Sequence, residues 1–261
     1  MLEPAQIALL AGAGLLAGAV NAVAGGGSLI SFPALLAVGY PALTANVTNS
    51  VALTPGYFGG TLGYRRELEG QRPRILALGA TSAVGAVLGA FLLVVSSAEF
   101  FERVVPFLIF LACALLAAQT RLARLVRRRR EGVALAGDPP EADPHTAPLF
   151  AAQFLAAIYG AYFGAGVGIM MLAILGIFLA DNLQRLNALK GLLSLLINAI
   201  AAAYFILFAD VRWVAVAIMA VTSLLGGQLG VVLARRLNDQ ALRWLVITFG
   251  VAVGLRLLFA G

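Results

Sequence analysis

The sequence predicts an all-α polytopic membrane protein made of two inverted repeats, each with about five membrane segments that include paired short or broken helices. First, only 11% of its 261 residues are charged and 61% are hydrophobic, whereas a soluble domain carries about a quarter charged residues. Second, uncharged tracts such as 75–98 and 214–234 match the roughly 20 residues needed to cross the hydrocarbon core. Third, the apolar pattern restarts after one long polar region. A transmembrane barrel would instead show short alternating segments.

The first half begins with a span over 5–23, which is followed by the glycine break Gly25–Gly27 and a short apolar piece over 28–38. Three consecutive glycines end a helix, because glycine is among the poorer helix formers. The short piece has about eleven residues, too few to cross the membrane fully, which predicts a half-helix or one arm of a re-entrant hairpin. The other predicted spans of this half cover 44–64, 75–95 and 104–122.

A polar region over 123–146 separates the two halves and contains an Arg cluster, prolines and acids. This composition predicts a flexible, solvated connector. The pattern then restarts with a span, a second break in "GAGVG" and a second short apolar piece. The predicted segments of the second half cover 149–163, 169–179, 183–208, 213–234 and 241–259.

An internal repeat supports this division into 1–122 and 147–261. An ungapped shift of 141 residues superposes polar and glycine positions of the two halves. If each half crosses the membrane an odd number of times, the second half is inverted relative to the first. With a cytoplasmic connector, most basic residues then lie on the cytoplasmic side, as the positive-inside rule requires. Four crossings per half would place Arg235 and Arg236 outside. The superposed pairs include Gly25/Gly166, Gly27/Gly168, Asn46/Asn187 and Ser82/Ser223.

Several classes of function are disfavoured by what the apolar segments lack. Cys113 is the single cysteine, His145 is the single histidine and lies in the connector, and the acids lie in loops or at span ends. An intramembrane enzyme would need a nucleophile with a base, or metal ligands, at membrane depth. We therefore expect no enzyme activity, no cofactor and no metal site, and the net charge of +6 reflects membrane topology rather than a nucleic-acid partner.

The paired glycine breaks predict a binding site. In transporters with inverted repeats, broken helices meet near the bilayer midplane and their ends contact the substrate, and a helix N-terminus offers free N–H groups to an anion. The alternative is that the glycines only allow helices to pack closely, and this alternative is favoured for Gly85/Gly89 and Gly226/Gly230. The binding interpretation is favoured for Gly25, Gly26, Gly27 and Ser28 and for their partners Gly166 and Gly168.

Polar residues in the third segment of each half indicate what binds. Asn46, Thr48 and Asn49 open this segment in the first half, and Asn187 and Lys190 occupy the corresponding stretch of the second. Lys190 is the only lysine among 18 basic residues and lies about two turns into an apolar segment, where an ionisable group is a functional candidate. The alternative is a lysine that reaches the cytoplasmic interface. Amides, hydroxyls, a positive group and helix N-termini together favour a small oxyanion.

The segment "AGGGSLISFPALLAVGYPALTANVTNSVALTPGYFGGTLGYRRE" resembles the sulfite exporter TauE/SafE family of membrane permeases, and "GAGVGIMMLAILGIFLADNLQRLNALKGLL" resembles its second motif. Before Lys190 the chain has Ala188–Leu189 where a more typical member has Thr-Asn or Thr-Ser. The resemblance implies outward transport of sulfite, sulfoacetate or similar anions across the bacterial or archaeal cytoplasmic membrane.

The resulting functional hypothesis is a secondary active anion exporter that works by alternating access, and a passive anion channel is the alternative. A small anionic substrate and membrane lipids are the expected partners. The residues leave open whether a proton is the coupling ion and whether the chain forms a homodimer.

Overall fold

A computed structural model describes residues 2–23, 25–135, 146–179, 181–233 and 239–260. Every long element in these ranges is an α-helix, and one short 3-10 helix, Arg65–Leu68, follows the third of them. The helices are α1 (Pro4–Val23), α2 (Ser28–Ala37), α3 (Ala42–Gly63), α4 (Arg72–Val95), α5 (Ala98–Leu135), α6 (Ala147–Tyr162), α7 (Val167–Phe178), α8 (Leu183–Phe208), α9 (Trp213–Leu233) and α10 (Asp239–Ala260).

The predicted class, an all-α polytopic membrane protein, is confirmed. Five of these helices, α1, α4, α5, α8 and α9, contain stretches long and apolar enough to cross a membrane. Helix α3 has 22 residues and is also long enough, but its Asn, Thr and Ser residues make it more polar. Helices α2 and α7 have only 10 and 12 residues, as the sequence predicted for the two short pieces.

Helix α5 is longer than the predicted span, which ended at residue 122, because the structure continues it to Leu135. Residues 123–135 are therefore helical rather than a flexible connector. Arg, Leu and Ala dominate this stretch and are all good helix formers, so the helix extends past the apolar span. The rest of the predicted connector, 136–145, lies outside the described residues, and the domain boundaries stay a prediction.

Three of the five helix pairs start in the register of the repeat, and the other two start within two residues of it. The first residues of α3 and α8, of α4 and α9, and of α5 and α10 are each 141 positions apart. The contacts between the halves are also paired: α1 packs on α9 as α6 packs on α4, while α3 packs on α8 and α5 on α10. The inverted orientation of the two halves in a membrane stays a prediction.

Small residues allow the closest of these contacts. A Cβ atom on Gly226 in α9 would lie 2.0 Å from the Leu15 carbonyl oxygen of α1, and one on Gly89 in α4 would lie 2.3 Å from the Ile158 oxygen of α6. Real Cβ contacts are not this short, so each position requires glycine. The packing interpretation of these glycines is confirmed.

Polar loops connect the halves at one end of the helices. Asp181, between α7 and α8, accepts hydrogen bonds from Arg74 of α4 and from Arg185 of its own half, and Gln71 Nε2 donates to the Arg185 carbonyl oxygen at 3.0 Å. Partial burial alone would raise the pKa of Asp181. The hydrogen bonds from Arg185, the Asn182 N–H and Arg74 outweigh burial and hold this pKa below its ordinary value. The loops before α4 and before α8 therefore lie together, which agrees with their predicted placement on one side of the membrane.

Candidate functional site

The first glycine break reverses the direction of the chain. Gly25 has a φ of +85°, a conformation that glycine adopts without steric cost. Two residues later, a Cβ on Gly27 would lie 2.2 Å from the Ala17 carbonyl oxygen, so α2 starts by running back along α1. The Gly27 N–H donates to Asn21 Oδ1 at 2.7 Å. This N–H, one of those predicted to bind an anion, is thus already bonded within the protein.

The second break makes a similar reversal between α6 and α7. Gly164 and Gly166 both have positive φ values, +80° and +76°, and Gly166 precedes α7 in the left-handed conformation. Val167, the first residue of α7, packs against Gly160 of α6. Both short helices thus pack back against the helix before them, as a re-entrant hairpin requires.

The two breaks are in direct contact. A Cβ on Gly25 would lie 2.7 Å from the Gly168 Cα atom, closer than any ordinary contact between carbon atoms. A Cβ on the neighbouring Gly26 would meet only the Leu116 side chain, at 3.7 Å. The pairing of the breaks that the repeat suggested is therefore a contact between their backbones, and this contact requires glycine at position 25 but not at position 26.

A small cavity with several polar residues in its wall lies beside the first break, at the end of α1, between the last turns of α3 and the first turns of α8. Its wall includes Asn21, Tyr57, Thr61, Asn187 and Lys190. The cavity is partly open and its volume is about 20 Å³, which is room for about one water molecule. The structure thus brings two of the predicted site residues, Asn187 and Lys190, into one cavity.

Lys190 is the one basic residue in the cavity wall. Its side chain is only 3% exposed, and it makes no hydrogen bond or ion pair with any described residue. No Asp or Glu lies among the described residues that line the cavity. A buried ammonium group without a counter-ion is strongly unfavourable, so the cavity is suited to an anion.

Apart from Asn187 and Lys190, the residues of the cavity wall were not predicted from the sequence, and three of the polar ones are informative. Asn21, Tyr57 and Thr61 were not among the candidates, although Asn21 immediately precedes the glycine break. Asn21 is a buried amide in an apolar helix, and such a group requires a partner, which is the signal that could have identified it. Tyr57 and Thr61 are polar residues one turn apart in α3, and no spacing rule distinguishes them from packing residues.

The predicted residues of α3 lie elsewhere. Asn46 Nδ2 donates to the carbonyl oxygen of Tyr162, the last residue of α6, at 2.8 Å, so Asn46 lies at the second break. Thr48 Oγ1 accepts the Arg212 N–H at 3.2 Å, next to the loop between α8 and α9. Asn49 is buried, and like Ser28 it does not contribute to the cavity wall. The structure therefore separates the predicted residues between the two breaks, and their roles in binding stay a prediction.

Comparison with known proteins gives consistent results. The family model described as "Sulfite exporter TauE/SafE" matches residues 10–257. A probable membrane transporter protein of Sinorhizobium is 26% identical over 97% of this chain and 92% of its own length. One of Haemophilus influenzae is 27% identical over 92% of this chain and 90% of its own length. The probable membrane transporter protein YfcA of Escherichia coli is 25% identical over 99% of this chain and 92% of its own length. No solved structure matches the chain significantly.

Proposed function

Because the chain belongs to the sulfite exporter TauE/SafE family, a family of integral membrane transporters, we propose that it exports a small sulfur-containing oxyanion or an organosulfonate. Sulfite and sulfoacetate are the expected kinds of substrate, and the membrane is the bacterial cytoplasmic membrane. The transport is secondary active and proceeds by alternating access.

Lys190 is the observation that carries this proposal. A transporter for cations would place carboxylates in its cavity, whereas this wall carries one ammonium group and, among the described residues, no acid beside it. An entering anion would supply the missing counter-charge and lower the free energy of the buried ammonium. Asn187, one turn before Lys190 on α8, is close enough along the helix for its amide to contact the same anion.

The size of the cavity supports a carrier rather than a channel. A space of about 20 Å³ holds about one water molecule and is too small for the three oxygens and the sulfur of sulfite. Binding therefore requires the surrounding helices to separate, which is the type of motion that alternating access uses. A channel would conduct through a continuous open path.

The two breaks have a place in this motion. Each short helix packs on its own half and also on a helix of the other half, α2 on α10 and α7 on α5, and the two breaks themselves touch through Gly25 and Gly168. We propose that the breaks move against each other when the cavity opens, and that the N-termini of α2 and α7, which start at Ser28 and Val167, then face the anion. Asn46, Thr48 and Asn49 would contact the anion in the conformation that opens to the opposite side. Asn46 and Asn49 occupy in the first half the positions that Asn187 and Lys190 occupy in the second, and Thr48 precedes Asn49.

Transport into proteoliposomes tests the proposal. The protein is reconstituted into the membrane of lipid vesicles, and a proton gradient is imposed across that membrane. The flux of sulfite is then measured against the concentration gradient of sulfite. We expect uphill sulfite flux that the Lys190→Met variant lacks. Flux that only runs downhill would favour the passive channel, and no flux of sulfite, sulfoacetate or thiosulfate in either direction would contradict the proposed function.

A further inference from the structure

Unpartnered polar atoms are few in the described interior, and one differs from the rest. Seven buried side-chain nitrogen or oxygen atoms of the described residues lack a hydrogen-bond partner. Six of them are amide oxygens, which are acceptors. The seventh is Asn21 Nδ2, the single nitrogen among them. A buried donor without a partner costs free energy, so its presence indicates a missing acceptor.

The orientation of the Asn21 amide is determined by its neighbour. The Gly27 N–H is 2.7 Å from Oδ1, and because an N–H can only donate, the atom facing it must be the amide oxygen. Nδ2 is therefore the atom left unpaired. Asn21, Lys190 and Asn187 are all residues of the cavity wall, so the first half contributes an amide with an unpaired donor to this wall and the second half contributes the ammonium group.

The second break offers no equivalent pair. A shift of 141 residues places Tyr162 at the position of Asn21, and the Tyr162 hydroxyl lies 3.2 Å from Ser96 Oγ. The buried unpaired atoms of Asn46 and Asn49 are oxygens, which cannot donate to an anion. Among the described residues, the one fully buried side-chain nitrogen without a partner thus lies at the first break.

We propose that Asn21 is a substrate-binding residue of this cavity: its Nδ2 donates to an oxygen of a small oxyanion held by Lys190, while its Oδ1 keeps the Gly27 N–H. This inference rests on the proposed function, since it names a further residue of the same site. Binding of an oxyanion to Asn21 also affects the start of α2, because an amide group is rigid and planar. A ligand that turns Nδ2 also turns Oδ1, so binding acts directly on the hydrogen bond that holds the start of α2.

Two substitutions at this position separate the ligand contact from the structural role. Asn21→Asp keeps an oxygen for Gly27 but replaces the donor with a carboxylate oxygen beside Lys190. Asn21→Ala removes both groups without adding a charge, so it distinguishes a lost donor from a new repulsion. The matched control is Asn182→Asp, at the exposed N-cap of α8, where Asp can accept the same Arg185 N–H. Sulfite is the probe, and its apparent affinity is read from the sulfite-dependent rise of the melting temperature of the purified full-length protein.

We expect both Asn21 variants to bind sulfite at least about tenfold more weakly, because a hydrogen bond to a charged group is lost. Asn21→Asp should not lower the melting temperature of the anion-free protein, because its carboxylate keeps an oxygen for Gly27 and supplies a counter-charge to Lys190. Asn21→Ala should lower this melting temperature, and Asn182→Asp should match the wild type in both affinity and melting temperature. Wild-type sulfite affinity in either Asn21 variant would overturn the inference and leave the proposed function intact. A wild-type protein that neither binds nor transports sulfite or sulfoacetate would contradict the proposed function itself.

Discussion

The contact between the two glycine breaks predicts a large difference between two neighbouring substitutions. In Gly25→Ala the new Cβ would lie 2.7 Å from the Gly168 Cα, about 1 Å inside the optimal distance for two carbon atoms. Because the atom it meets is backbone, the two breaks must move apart, a kind of overpacking that costs about 1–3 kcal/mol. The φ of +85° adds about 1–2 kcal/mol for a residue with a side chain. The expected loss of stability is therefore about 2–5 kcal/mol.

Gly26→Ala is the matched control, because its Cβ would meet only Leu116 at 3.7 Å and its φ is not in the left-handed region. We expect this variant to differ from the wild type by less than about 1 kcal/mol. The assay is the melting temperature of each purified protein in the same detergent, in which about 2–5 kcal/mol corresponds to roughly 4–20 °C. Equal melting temperatures for the two variants would refute the contact between the breaks and with it the proposed motion of one break against the other.

Two further predictions concern the packing of the halves and the loops that join them. Gly226→Ala should lower the melting temperature by several °C, because its Cβ would overlap the Leu15 carbonyl oxygen. Gly12→Ala, with nothing within 4 Å of the new Cβ, should leave the melting temperature unchanged or raise it slightly. Equal melting temperatures for the two variants would contradict this packing of α1 on α9. Asp181→Asn should lower the melting temperature at neutral pH, because the lowered pKa of Asp181 means that the folded protein favours the carboxylate. The difference from the wild type should begin to shrink as the pH falls through the ordinary value of about 3.9 and should disappear only below the lower pKa of the folded protein. A difference that is independent of pH would contradict the role of the charge.

Much of the fold could be predicted from composition because the bilayer imposes it. Apolar length determines which segments cross, and the order of spans, breaks and short pieces follows directly from uncharged tracts and glycines. The end of α5 could not be predicted in this way. Helix propensity in the Arg-rich stretch carries the helix to Leu135, past the point where apolar length stops being informative.

The candidate site could be predicted only in part, because its residues are brought together by packing between the halves. Lys190 is conspicuous in the sequence as a single buried lysine, and Asn187 follows from its register. Asn21 is not conspicuous, since its importance depends on which of its two amide atoms is occupied by Gly27. Asn46 corresponds to Asn187 in the repeat, yet its Nδ2 is bonded to the second break, which a shift of the sequence cannot reveal.

The melting temperature of the purified protein with and without sulfite, compared with that of Lys190→Met, tests the central claim that the Lys190 cavity binds an oxyanion. We predict that saturating sulfite raises the melting temperature of the wild type, by an amount equivalent to about 2.7 kcal/mol at a hundredfold excess over the Kd. The variant should show no sulfite-dependent rise, while its melting temperature without sulfite is equal to or above that of the wild type, because an unpaired buried charge has been removed. A sulfite-dependent rise of the same size in both proteins would contradict the claim.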